Sequence, residues 1–207
     1  MRLFLKILKW GFIVIAVAFA ALVVYRMFVL WGEKKTDEQV AKIHATRLTL
    51  DDVMGKNLPP DPGTDADKTV QGIDANRNNI RDDVELAIFK LHPDSARIRA
   101  AELQYAMGLQ IQFTEVFSES TFIAAIQEDG TGYGCILGTE PDIYPDLSKE
   151  LLTQHKRIKD RVNEVENLIL NTIERKSMYE HNYDKYMTSY SLLSGKNCHI
   201  DPTSLPN

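Results

Sequence analysis

The chain has 207 residues, 44% hydrophobic and 26% charged, which is enough apolar material for one core and too little length for two full domains. Its net charge of −5 conceals an acidic body: residues 1–31 hold four basic and no acidic side chains, leaving 20 Lys and Arg against 29 Asp and Glu, a net of −9, in the remainder. That excess argues against nucleic acid, whose phosphates select basic surfaces. It suits a cation site and equally suits an ordinary solubilising surface.

Residues 10–30 are apolar apart from Gly11, Tyr25 and Arg26, and tryptophans stand at both ends as Trp10 and Trp31. Twenty-two helical residues span roughly 33 Å, which matches a hydrocarbon core of about 30 Å. The indole rings suit the interface, and Arg26 is near enough to the far end for its side chain to reach the headgroups. Arg2, Lys6 and Lys9 precede the span, so the positive-inside rule places the N-terminus in the cytoplasm and the body outside. Ala18-Phe19-Ala20 also mimics a signal-peptide cleavage site. The apolar run continues well beyond it, which favours a retained anchor.

Residues 33–55 are polar and mixed, and their periodicity fits a short helix around Val40 and Ile43 or an extended segment through Leu48 and Leu50. Thr49 to Met54 reads as a capped turn stopped by Gly55. Residues 57–63 then carry Pro59, Pro60, Pro62 and Gly63, a stiff loop with no capacity for helix.

The next stretch, 74–85, reads D-A-N-R-N-N-I-R-D-D-V-E. Oxygen-bearing side chains fall at loop positions 1, 3, 5, 9 and 12 as Asp74, Asn76, Asn78, Asp82 and Glu85, with Ile80 placed to lend a backbone carbonyl at position 7. This is the ligand order with which an EF-hand-type loop wraps calcium, a hard cation that takes six to eight oxygens. Val84, Ala87, Ile88 and Leu91 mark a helix leaving the loop, ended by His92-Pro93. The proline-led stretch before it supplies no entering helix, so the motif is half an EF-hand. A calcium sensor needs a helix pair that opens. The ion expected here is therefore a structural staple. With three charged ligands, Asp74, Asp82 and Glu85, the expected affinity is on the order of 10⁻⁴ to 10⁻³ M.

Residues 72–85 resemble the single calcium loops of thrombospondin type 3 repeats and of many secreted bacterial proteins, which also place a hydrophobic residue at position 7 and acids at 9 and 12. Residues 58–86 are further similar to a group of bacterial envelope proteins without assigned activity. The resemblance covers about a seventh of the chain and implies calcium binding and an exported location. It departs at position 6, where Asn79 replaces the usual Gly. Asn is the next most tolerant residue for a left-handed backbone.

Beyond Pro93, Asp94 or Ser95 caps a helix running toward Glu119 and, after a kink at 118–120, on to Glu128. Ile98, Ala101, Tyr105, Leu109, Phe113, Val116 and Phe117 make its buried face. Residues 129–146, with Gly130, Gly132, Gly134 and Gly138, read as a connecting loop; no Gly-Lys-Ser/Thr follows to make a phosphate cradle. From the Asp146 cap, Leu151, His155, Ile158, Val162, Val165, Ile169 and Thr172 form a seam for a partner helix. The same phase runs through Tyr179, Tyr183, Tyr186 and Tyr190, a stripe that suits either a bundle seam or a partner face.

Two cysteines, Cys135 and Cys198, flank this region, and an even count outside the cytoplasm reads as one disulfide. Since bridged Cα atoms lie about 4.4 to 6.8 Å apart, the bond requires the helical run to fold back. Asn171-Thr172 is the expected break, and Ser177 with Glu180 has capping-box spacing. Two antiparallel helices at 147–171 and 174–194, stopped by Gly195, follow.

The expected fold is therefore all-α, an N-terminal transmembrane helix followed by an antiparallel helical bundle. Its parts are a basic end and anchor at 1–32, a linker with Pro-rich lead-in at 33–72, and a helical domain at 73–207. Zinc-spaced His or Cys pairs, a nucleophile elbow and a Walker sequence are all absent, which disfavours an enzyme. The expected protein is an inner-membrane, single-pass binding or scaffolding module with a periplasmic body, structural Ca²⁺ and a protein partner. An envelope inhibitor or immunity-type protein is the alternative within that class, and an envelope enzyme with a site of no familiar motif lies outside it.

Overall fold

The computed structural model describes residues 1–140, 148–195 and 197–206, without the side chains of Leu3 and Ser148. The described residues are all-helical, with no strand among them. The chain divides into two units, Met1–Gln39 and Val40–Asn207. Helix α1, Arg2–Ala45, supplies the whole of the first. It is long and apolar enough to cross a membrane, with a mean hydropathy of 2.6 over its most apolar stretch and no burial there. The polar stretch 33–45, for which helix and strand were both open, is helical.

Within the second unit the order is α2 (Leu50–Val53), a 3-10 turn (Gly63–Asp67), α3 (Asp82–Leu91), α4 (Ala96–Thr114), α5 (Glu119–Gly138), α6 (Ser148–Ile169), α7 (Ile173–Tyr186) and a final 3-10 turn, Pro202–Ser204. The segment read as a linker contributes Leu48, Val53 and Ala66 to the buried interior. Thr49 caps α2 by a reciprocal box with Asp52, and Gly55 turns the chain at φ +75°.

Helix α4 is the axis. Every residue from Arg99 to Phe113 is buried, because α3, α5, α6 and α7 surround it. The sequence had suggested one buried face. The polar residues that diluted the pattern are buried as well, and three of them, Arg99, Gln104 and Gln110, serve loop carbonyls or amides. Arg99 donates to the carbonyls of Val53, His92 and Pro93. Gln104 donates to the carbonyl of Asn197 (2.7 Å) and accepts from His199 N–H (2.8 Å), and Gln110 donates to that of Gln71 (2.9 Å).

The glycine-rich stretch is helix, a correction to the expected loop: α5 runs from its Ser118 cap through Gly138. Its glycines serve close packing. A Cβ on Gly132 would lie 2.6 Å from the Tyr105 Cα, and one on Gly108 would lie 2.6 Å from the Asp129 Cα. At each approach the glycine of one helix lies against the backbone of the other, and burial offsets the glycines' intrinsic cost of about 1 kcal/mol each. The break before α5 falls at residues 115–118, slightly ahead of the expected kink.

Helices α6 and α7 are separate, as the disulfide required, and Cys135 and Cys198 are bonded with Cα atoms 4.8 Å apart. Three details differ from expectation. The α7 cap is Thr172, whose hydroxyl accepts from Arg175 N–H, so Ser177 lies inside the helix. Helix α6 packs chiefly on α4 and α3, and α7 on α4 and α5, rather than on each other. Helix α7 ends at Tyr186, well before Gly195, and the chain then turns back along α5, where Gln127 donates to the Ser191 carbonyl (2.7 Å). The Asp146 cap lies outside the described residues. Of the α6 seam, Ile158, Val165 and Ile169 are buried, while Leu151 and His155 are exposed.

Candidate metal loop and its surroundings

The loop begins as irregular backbone and ends inside α3. A 3-10 turn and a run of bends precede it, so no entering helix exists. Two residues take left-handed backbone, Arg77 at φ 61° and Asn79 at φ 65°. The second is position 6, where the turn favours Gly and Asn is tolerated. Asp82 N–H donates to the Ile73 carbonyl (2.9 Å) and closes the loop, while Ile80, Val84 and Ile88 bury their side chains and fix it to the core.

Of the five side chains singled out from sequence, Asn76, Asn78 and Glu85 meet directly, while Asp74 and Asp82 bond to the loop backbone. Asp74 accepts from the N–H groups of Asn78 (3.1 Å) and Asn79 (2.9 Å). Asp82 Oδ1 accepts from Ala75 N–H (2.9 Å). Glu85 reaches back from the first turn of α3, and its Oε2 accepts from the amides of Asn76 (2.9 Å) and Asn78 (3.1 Å). The Asn76 amide also donates to the Asn57 carbonyl (3.0 Å), tying the loop to the Pro-rich lead-in.

What distinguishes the cluster is what its acids lack. Glu85 is fully buried and Asp82 is 1% exposed, yet Glu85 Oε1 and Asp82 Oδ2 have no hydrogen-bond partner. Burial pushes the Glu85 carboxyl up to about 7, against the two amide bonds, with Asp52 and Asp82 adding to the rise. Burial likewise raises Asp74 and Asp82 above the ordinary carboxylate range. Orphaned, buried carboxylate oxygens beside other acids favour whatever brings positive charge. Among the described residues no three His, Cys, Asp or Glu side chains form a metal-holding group. A cation held there would draw on the amide oxygens and the Ile80 carbonyl as well as the acids, the oxygen donor types that calcium takes.

The remaining features read from sequence are distributed differently. Tyr179 is partly buried and packs against the core, and Tyr186 donates to the Phe117 carbonyl (3.1 Å) with its ring 6.4 Å from that of Phe122. Tyr183 packs edge-on to Phe122 while staying 45% exposed, and Tyr190 lies beyond the end of α7. The four do not form one helical face.

Sequence reasoning missed a second carboxylate site. Glu128 on α5 is 2% exposed and accepts at Oε1 from His44 Nδ1 (2.8 Å). Arg47 lies 3.5 Å and His199 Nε2 3.7 Å from its Oε2. His199 Nδ1 accepts from Leu48 N–H (3.1 Å), so Nε2 carries the proton that faces the acid. Those partners outweigh burial and hold Glu128 below the ordinary carboxylate range. Three of the five histidines, scattered in sequence, thus stand beside acids, since His92 lies 2.9 Å from Glu102. Between α4, α5 and α6, Asp129 keeps a buried Oδ1 without a partner, and burial, with Glu166 beside it, lifts its carboxyl to about 7.

No protein-family model, no curated protein and no solved structure matches this chain.

Proposed function

We propose that the protein is a single-pass membrane protein, N-terminus inside, whose exported helical body is a binding or scaffolding module stapled by one calcium ion. The carrying observation is the pair of buried, partnerless oxygens, Asp82 Oδ2 and Glu85 Oε1, in a loop with calcium ligand order. Asp74, Asn76, Asn78, Asp82 and Glu85, with the Ile80 carbonyl, would hold the ion. Bound calcium supplies the positive charge that these acids otherwise lack, and it does no chemistry.

The role of the staple follows from its contacts. Asn76 reaches the Asn57 carbonyl and Asn57 reaches Asp52 (3.3 Å), so ordering the loop orders the lead-in against α3. An inner-membrane location, with the body in the periplasm, rests on the length and apolarity of α1, the basic residues before the span, and the disulfide. Titration calorimetry on the full chain in detergent tests the reading. It expects one calcium per chain, with binding lost in Glu85→Gln; a wild-type protein that releases no calcium heat and melts at the same temperature with and without 1 mM calcium, a common working level, refutes it.

A further inference from the structure

We propose that the calcium affinity of the loop is set in part by the α6–α7 elbow, acting through Arg81 and Asn171, and that calcium in return holds that elbow closed. The inference rests on the calcium reading above.

Arg81 occupies loop position 8, between the Ile80 carbonyl and the Asp82 carboxylate, and is fully buried. Its guanidinium leaves the loop. Nη1 donates to the Ile169 carbonyl (2.8 Å) and Nη2 to the Leu168 carbonyl (3.0 Å), two groups in the last turn of α6 that the helix itself leaves without partners. Nε and Nη2 grip both oxygens of Asp83 (2.9 and 2.8 Å), which fixes the plane of the group. The aliphatic stem lies against Gly72, where a Cβ would come within 2.4 Å of the Arg81 Cδ.

A second buried guanidinium closes the circuit. Arg175, in the first turn of α7, donates from Nε to the Val70 carbonyl (3.0 Å), from Nη2 to those of Thr69 (3.1 Å) and Ala66, and from Nη1 to Asp67. Asn171 sits between the two arginines. Its Oδ1 accepts from Arg175 Nη1 and, at 3.4 Å, from Arg81 Nη2, while its Nδ2 donates to Asp67 (3.2 Å). Residues 66–72, the loop, and the elbow at 168–175 are therefore one polar network around two buried cations.

The backbone on either side of Arg81 carries two of the six calcium ligands. Moving it breaks the carbonyl bonds and strands a buried charge, so the elbow constrains where Ile80 and Asp82 sit. Two sites joined in this way share a coupling free energy, and the effect runs equally in both directions. Asn171, 86 residues beyond Glu85 in the sequence, is a positioning residue for calcium.

The test uses the full chain in detergent micelles. Calcium affinity is measured by titration calorimetry, and hydrogen exchange is followed at the Leu170, Arg175 and Lys176 amides with calcium and with chelator. Asn171→Ala is expected to weaken calcium binding about five- to tenfold, the lower range of measured coupling. Calcium is expected to slow exchange at the three wild-type amides, with most of that slowing lost in the variant. Arg81→Lys, which keeps the charge and loses the fork, is expected to weaken binding at least as much. Gln127→Ala, which breaks a contact on the far side of α5, serves as the control and leaves affinity unchanged. Wild-type calcium heat with unaltered affinity in both elbow variants and calcium-insensitive exchange overturns the coupling and spares the calcium reading. Absence of wild-type calcium heat overturns both.

Discussion

Glu85 and Glu128 are buried alike, at 0% and 2% exposure, and titrate in opposite directions. Glu85 faces two neutral amides and two further acids, and its carboxyl rises to about 7. Glu128 faces two histidines and an arginine and falls below the ordinary range. Burial is common to both, so the neighbours decide the sign. Glu128 is a finished ion-pair site with its positive charge built into the chain. Glu85 is an acid whose positive charge has to come from a proton or a cation.

The sharpest way to break this contrast is to release one site while leaving the other. Cys198 is next to His199, and the disulfide closes a loop of 63 residues, so Cys198→Ser is expected to cost about 4 kcal/mol in chemical denaturation. It should free His199 from Glu128 and leave calcium affinity unchanged.

The paired substitutions come next. Glu128→Ala strands two histidines and Arg47, and is expected to cost about 2–3 kcal/mol, tempered by the half-exposed partners. Glu85→Gln in chelator removes a charge the fold does not compensate, and is expected to be neutral or stabilising by about 1 kcal/mol. Equal losses at the two positions would end the comparison.

Calcium should act on one site alone. At about 1 mM the ion is expected to add roughly 0.4–1.4 kcal/mol, a rise in melting temperature of about 1–5 °C, in wild type and Glu128→Gln and not in Glu85→Gln. Scanning calorimetry reads all three.

Acid titration sharpens the contrast further, through variants outside the loop. The Glu128 contribution is complete above its ordinary value of 4.5 and is lost as pH falls through its lower folded value, so Glu128→Gln should flatten the acid limb. Asp129 has the opposite sign. Its folded value of about 7 lies above its ordinary 3.8, so its ionised form opposes folding above 7, and that opposition fades as pH falls toward about 4. Subtracting the Asp129→Asn curve from wild type should show stability rising over that interval.

The turn at 74–85 and the helix that leaves it were legible because their information is local: polar side chains at fixed spacing within twelve residues, then an apolar period that continues to Leu91. The rest needed the third dimension. Arg81 carried no signal of its own, because its role depends on carbonyls nearly ninety residues away. Glu128 gave no signal because His44, Arg47 and His199 come from opposite ends of the chain. The glycines of α5 were taken for a loop because Gly weakens an isolated helix, and only the approach of α4 explains them. Helix α7 was drawn too long because the tyrosine spacing continues after the backbone has left the helix. Tertiary contacts take over there: a Cβ on Gly130 would lie 2.9 Å from Leu192, and the returning segment carries Cys198 to Cys135.

That bond also governs what a protease could do to the molecule. Helices α6 and α7 both lie within the cross-linked ring, so one cut anywhere between Ile136 and Asn197 leaves the two pieces attached. The nicked chain runs at full mass until it is reduced, and its C-terminal piece, with the histidine that faces Glu128, stays tethered at its place. A single cleavage inside the ring opens the chain without shedding any part of it.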